Sequence, residues 1–98
     1  MTREIAPVSP GEMLQEEFLT PLGLSQYALA KAIEVSHRRI NAIVHGTGAV
    51  TADTDLRLCR FFGLSDGWWL RLQAQYDTER TRETMSEVLA RIRPMAHT

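Results

Sequence analysis

Apolar positions recur along this chain at helical intervals, in short blocks divided by glycine, proline and serine. Ser9-Pro10-Gly11-Glu12 has the composition of a helix start: a Ser cap, a Pro in the first turn and an early acid. Met13, Leu14, Phe18 and Leu19 follow as a stripe, and Pro21-Leu22-Gly23 predicts a stop. Ser25 predicts the cap of a second helix with Ala28, Leu29, Ala32 and Ile33 inward. Ser36 does the same for a third, whose stripe is Ile40, Ile43 and Val44 and whose end is Gly46. Thr51 caps a fourth, with Asp53 and Asp55 at its positive end, Leu56, Cys59 and Phe62 along one face, and Gly63 as terminator.

Ser65-Asp66 predicts the opening of a fifth helix carrying Trp68, Trp69, Leu72 and Tyr76. Asp77 or Thr78 then restarts a sixth, on which Met85, Val88, Leu89 and Ile92 stand at i, i+3, i+4 and i+7. Pro94 ends it, and the last four residues are expected to fray. No strand alternation, internal repeat or low-complexity tract interrupts the pattern. The expected fold is all-α: a compact bundle of five or six short helices containing a helix-turn-helix, in a single domain over 1–98 with a C-terminal amphipathic helix at about 78–93.

The helix-turn-helix reading rests on offsets around the second and third helices. A recognition helix must be pinned by apolar residues and show a polar face to the major groove. Val35, Ile40 and Ile43 are the pins, and Ala30 is the small residue beneath. At about 100° per residue, Arg38, Asn41, Ala42 and His45 fall away from Ile40 and Val44, with His37 and Arg39 flanking. Arg bonds guanine bidentately and Asn bonds adenine, so Arg38, Asn41, His37 and Arg39 are the expected base readers. Gln26, Lys31, Ser36 and His45 are expected on the DNA backbone.

Charge changes this picture only locally. The 98 residues carry a formal net charge of −1, with 44% hydrophobic and 23% charged residues, so no basic coat exists. Between Lys31 and His45, however, three basic side chains meet a single acid, Glu34. The cations are ten Arg and one Lys, which suits bidentate contacts. One cysteine, Cys59, rules out an intrachain disulfide and reads as a small buried hydrophobe. His37, His45 and His97 lack metal-ligand spacing, so no metal or cofactor is expected. No signal peptide or membrane span is apparent, and the expected location is the cytoplasm.

Several ordered motifs carry a family resemblance. Ser25-Gln26, Ala28-Leu29-Ala30, Val35-Ser36, Arg39-Ile40-Asn41, Ile43 and Gly46 resemble the helix-turn-helix of Cro/C1 (XRE) repressors, the lambda-repressor-like fold. The longer series is similar to the HigA antitoxin family: Pro10-Gly11-Glu12-Met13-Leu14, Glu17-Phe18-Leu19, Pro21 to Ser25, Thr51, Asp53-Thr54, Leu56-Arg57-Leu58, Phe61-Phe62-Gly63, Trp69-Leu70, Leu72-Gln73 and Tyr76-Asp77. That resemblance implies a non-enzymatic homodimer that binds double-stranded operator DNA and represses its own operon. It also implies neutralisation of a HigB toxin, a RelE-like ribonuclease that cleaves mRNA on the ribosome. The alternatives are a stand-alone repressor and a helical protein-interaction module.

Two positions depart from the family pattern. The turn after the second helix usually carries Gly; Glu34 there implies roughly 1 kcal/mol of strain. Thr47-Gly48 stands where basic residues often follow the recognition helix, which removes a phosphate contact. For partners, Glu12, Glu16 and Glu17 form an acidic face suited to a basic toxin, or simply a solvated one. Trp68 and Trp69 cannot both face inward, which leaves Trp68 for a partner. Trp68, Met85, Val88, Leu89 and Ile92 form the expected dimer surface; packing of that stripe back onto its own domain is the alternative.

Overall fold

The computed structural model describes residues 8–96, so the readings for a leader at residues 1–7, for His97 and for Thr98 lie outside the described residues. Within that range the chain is helical, with no strand among the described residues. The first helix, α1 (residues 10–22), is continuous but changes register: α-helical at Pro10–Glu12, π-helical over Met13–Leu19 and α-helical again at Thr20–Leu22. Then come α2 (Gln26–Ala32), α3 (His37–Val44), α4 (Ala52–Phe62), α5 (Trp68–Thr84) and α6 (Ser86–Arg91). No helix among the described residues is long and apolar enough to cross a membrane.

Side-chain caps start four of these helices where Ser and Thr predict them. Ser9 Oγ accepts from Glu12 N at 3.1 Å, and Glu12 Oε1 accepts from Ser9 N at 3.2 Å, a reciprocal capping box. Ser25 caps α2 through Ala28 N at 3.0 Å, Ser36 caps α3 through Arg39 N at 3.1 Å, and Thr51 caps α4 through Thr54 N at 3.3 Å. Pro21 stands inside the last turn of α1 rather than after it. It has no N–H to donate and its ring crowds the carbonyl four residues back. The wider π turns before it accommodate that conflict.

The core is drawn from every helix but α6. Leu14 and Leu19 of α1, Leu29 and Ala30 of α2, Ile40 and Ile43 of α3, Leu58 and Cys59 of α4 and Trp69 of α5 are all buried, joined by Ile33 and Val50. Phe18 closes one side against Phe62, Trp68 and Trp69, with ring centroids 4.7–5.8 Å apart. Gly11 lets α1 cross α3 at backbone contact: a Cβ there would lie 2.6 Å from the Val44 carbonyl oxygen and closer still to that of Ile43.

Four expectations need correction. On α2 and at its C-cap the inward residues are Leu29, Ala30 and Ile33, while Ala32 is exposed. On α4 the inward stripe is Asp55, Leu58, Cys59 and Phe62, while Leu56 is half exposed. The i, i+3, i+4, i+7 spacing runs through a carboxylate, so reading apolar residues alone rotates the helix. The fifth helix starts at Trp68, not at Ser65-Asp66; its cap position is Gly67 at φ +89°, and no side chain of its own caps it. Nor does a sixth helix begin at Asp77 or Thr78. Instead α5 runs unbroken to Thr84 and the break falls at Met85, leaving α6 with six residues. Nothing at Asp77-Thr78 breaks the helix, so the chain continues it.

The far half of α5 and α6 project from the bundle. The radius of gyration is 16.6 Å, against about 13 Å for a compact chain of this size. Val88 and Leu89 on α6 are exposed, as is Ile92 at its extended C-cap, and Met85 at the break is half-buried. The alternative in which the stripe folds back onto its own core is therefore not the arrangement observed.

Candidate nucleic-acid interface

The helices α2 and α3 pack against each other, and the turn between them has a defined geometry. Val35 N donates to Ala30 O at 3.0 Å, and Glu34 N donates to Lys31 O at 3.3 Å. These two bonds close a Schellman motif whose left-handed residue is Glu34, at φ +62°. The strain expected of a non-glycine residue at this turn is present. From α4, Arg57 Nη1 donates to Ile33 O at 2.8 Å and to Glu34 O at 3.3 Å, holding the turn's carbonyls from outside.

Buried Ile40 and Ile43 anchor α3 from behind, with Val35 and Val44 half-buried beside them. Its outward face then carries His37, Arg38, Asn41 and His45, all exposed. Arg38 makes no side-chain pairing among the described residues. His37 meets the exposed Tyr27 ring edge-on at 6.3 Å. His45 sits at the C-cap of α3, with Nδ1 2.9 Å from Asn41 O. Lys31 is exposed on the last turn of α2, and Ser36 is spent partly on its cap.

Arg39 is placed differently from its neighbours. Its Nη1 lies 3.3 Å from Asp53 Oδ1 and 3.3 Å from Thr54 Oγ1, so its guanidinium is tied to the start of α4. Asp53 also accepts from Arg57 Nε at 2.7 Å. That hydrogen bond, with the charges of Arg57 and Arg39, holds the Asp53 carboxyl below its ordinary value against the opposing effect of desolvation. The loop after α3 is braced by Thr47 N and Gly48 N, which both donate to Ala42 O.

Gln26 and Asn41, expected on backbone and base respectively, are linked to each other. Asn41 Nδ2 donates to Gln26 Oε1 at 3.3 Å, and Gln26 Nε2 donates to Gln15 Oε1 at 3.2 Å. The expected partner surfaces are less uniform. Glu12 is committed to its capping box, whereas Glu16 and Glu17 are exposed. Trp68 is half-buried against Phe18 and Trp69. Among the described residues no cluster of three His, Cys, Asp or Glu side chains could hold a metal ion.

A family model described as helix-turn-helix matches residues 15–69, which span α1 to the start of α5. Antitoxin HigA-1 of Vibrio cholerae is 35% identical over 91% of this chain and 84% of its own length. Virulence-associated protein I of Dichelobacter nodosus is 46% identical over 87% of this chain and 79% of its own. Among solved structures, the Pseudomonas aeruginosa antitoxin HigA with the higBA promoter superimposes with a TM-score of 0.84 at 34% identity, covering 92% and 99% of the two chains. The chain belongs to the helix-turn-helix family of HigA-type antitoxins.

Within this HigA-type fold, sequence reasoning missed the residues that position the interface. Asp55 is buried and accepts from Gly67 N at 2.7 Å, Trp69 N at 2.9 Å and Leu70 N at 3.1 Å, and so caps α5 from α4. Gln73 bonds both backbone groups of Val50, at 2.7 and 2.9 Å, and fastens the loop after α3 to α5. Asp55 had a signal, a polar residue within an inward stripe. Gln73 and Arg57 stood only as members of the family motifs and Gln15 had no signal, because the contacts of Gln73 with Val50, of Arg57 with Ile33 and of Gln15 with Gln26 span 11 to 24 residues.

Proposed function

We propose that this protein is an operator-binding antitoxin and autorepressor, acting as a homodimer in the cytoplasm and without enzymatic activity. The observation that carries the reading is the polar face of α3. Arg38 and Asn41 stand exposed on a helix pinned by Ile40 and Ile43, in a fold that superimposes on a HigA antitoxin with its promoter. Arg38, Asn41 and His37 are the base-edge contacts. Gln26, Lys31, Ser36 and His45 contact the DNA backbone, and Arg39, held by Asp53, joins them at a phosphate.

The test uses a duplex enriched from a random-sequence pool by the wild-type protein. Arg38→Ala and Asn41→Ala should each weaken binding to it by about 1–3 kcal/mol, with a smaller loss on random duplex. Equal losses on both would reassign these residues to phosphate contact. Absence of salt-dependent binding to any duplex would leave the helical protein-interaction module as the reading.

Toxin neutralisation is the second half of the proposal, supported by HigA-1 among the relatives. The partner is a basic RelE-like ribonuclease of the HigB type, for which exposed Glu16 and Glu17, with Glu12 at the edge, are the docking candidates. Co-expression should rescue cells from the toxin in the adjacent reading frame. The Arg38→Ala, Asn41→Ala double variant should still rescue from a foreign promoter. Failure of the wild-type protein to rescue at equal level would favour a stand-alone repressor.

A further inference from the structure

We infer that Gln15, on α1 and outside the two helices of the DNA-binding unit, is a positioning residue that sets the amide orientation of Asn41 through Gln26 and thereby sharpens base discrimination. The inference rests on the reading of Asn41 as a base contact. Four side chains form a single directional ladder. Gln15 Nε2 donates to Thr20 Oγ1 at 3.2 Å, Gln26 Nε2 donates to Gln15 Oε1 at 3.2 Å, and Asn41 Nδ2 donates to Gln26 Oε1 at 3.3 Å.

Each carboxamide has one donor end and one acceptor end, so the orientation of one amide is passed on to the next, and the structure places the Gln15 nitrogen on the Thr20 hydroxyl. With its Nε2 on Thr20, Gln15 offers oxygen to Gln26. Gln26 must then turn its nitrogen to Gln15 and its oxygen to α3. Asn41 answers with one N–H, keeping its second N–H and its Oδ1 outward. An adenine edge in the major groove asks for that pair, a donor for N7 and an acceptor for the N6 amino group. An isolated Asn has a broad, roughly two-fold terminal torsion and offers the reversed amide about as readily.

The π-helical segment makes the ladder geometrically available. Residues five apart on an α-helix point about 140° away from each other, at about 100° per residue. In the π turns of α1 the Thr20 N–H donates to Gln15 O, and the same register brings the two side chains together. Gln15 and Gln26 are both half-buried, which limits competition from water at the middle bond, while Thr20 and Asn41 are exposed at the two ends.

The experiment measures the affinity ratio between the enriched duplex and the same duplex with single A·T pairs changed to G·C. The position read by Asn41 is the one whose ratio collapses in Asn41→Ala. At that position Gln15→Met should lower the ratio about three- to tenfold, with thermal stability and affinity for random duplex near wild type. Gln15→Glu keeps an acceptor for Gln26 Nε2 and should retain the ratio, although its charge lowers affinity throughout. Thr20→Val, which removes the first link, should give a smaller loss in the same direction. A wild-type ratio in Gln15→Met beside a collapsed one in Asn41→Ala would overturn the ladder alone. A wild-type protein that discriminates at no position, or an Asn41→Ala variant that keeps every ratio, would overturn the base-reading assignment and the ladder with it.

Discussion

Asp55 shows how much of this fold hangs on single polar atoms. Its carboxylate is buried and takes three backbone N–H groups at the start of α5, with the Cys59 thiol 3.5 Å away. Those N–H groups are orphans of a helix whose own cap residue is a glycine. Asp55→Ala would leave them without partners in an apolar surround, and should destabilise the protein by about 3 kcal/mol or more. Asp55→Asn keeps one acceptor but turns an amide N–H₂ toward a donor, so its loss should be smaller yet clear. Denaturant midpoints of the two variants measure this; a loss under about 1 kcal/mol for Asp55→Ala would mean that water replaces the carboxylate. Glu34 stands at the opposite extreme, strained at φ +62° but exposed and held through its backbone by Arg57.

At the scale of elements, the recognition helix is positioned from both ends. At one end α1 crosses it at Gly11. Gly11→Ala drives a Cβ into two backbone carbonyls that have no freedom to rotate away, so α1 must lift from α3. The expected loss is about 2–3 kcal/mol, the range of overpacking, accompanied by weaker duplex binding. At the other end Asp53 joins Arg39 of α3 to Arg57, which grips the turn. Because the folded protein holds the Asp53 carboxyl below its ordinary value, its contribution to stability is present above the ordinary carboxylate range and is lost as pH falls through the depressed value. Asp53→Asn should therefore lower stability at neutral pH, and its deficit relative to wild type should close as pH falls through and below the ordinary carboxylate range. The pair is solvent-exposed, so the deficit should also shrink in high salt. A deficit independent of pH would trace it to hydrogen bonding alone.

At the scale of the whole molecule, the projecting arm is the feature left outside the core. Val88 and Leu89 are exposed on α6 and Ile92 just past its end, beyond the core, and isologous pairing through these residues would give a two-fold dimer suited to a palindrome. We expect a dimer in solution, with half-site centres about 10 bp apart on the bound duplex. Leu89→Glu with Ile92→Glu should yield a folded monomer that binds the duplex far more weakly. Sedimentation of the wild-type protein as a monomer at tens of micromolar would sink this arrangement.

Local signals were enough for the helix starts at Ser9, Ser25, Ser36 and Thr51 and for the glycine stop at Gly63. They also sufficed for the pinned and exposed faces of α3. Each depends on atoms within four residues of one another, so the sequence by itself determined them. The left-handed turn at Glu34 was legible only through the family pattern, which usually has Gly there, because nothing in a glutamate signals a positive φ. The tertiary structure decided what depends on a partner brought from afar. Asp55 faces inward because α5 presents bare N–H groups to it, and that in turn exposes Leu56. The start of α5 falls at Trp68 because its cap comes from α4. Arg39 turns from the outward face because Asp53 lies across from it. The ladder from Thr20 to Asn41 exists because the π turns of α1 and the packing of α2 on α3 bring four separated polar side chains into line.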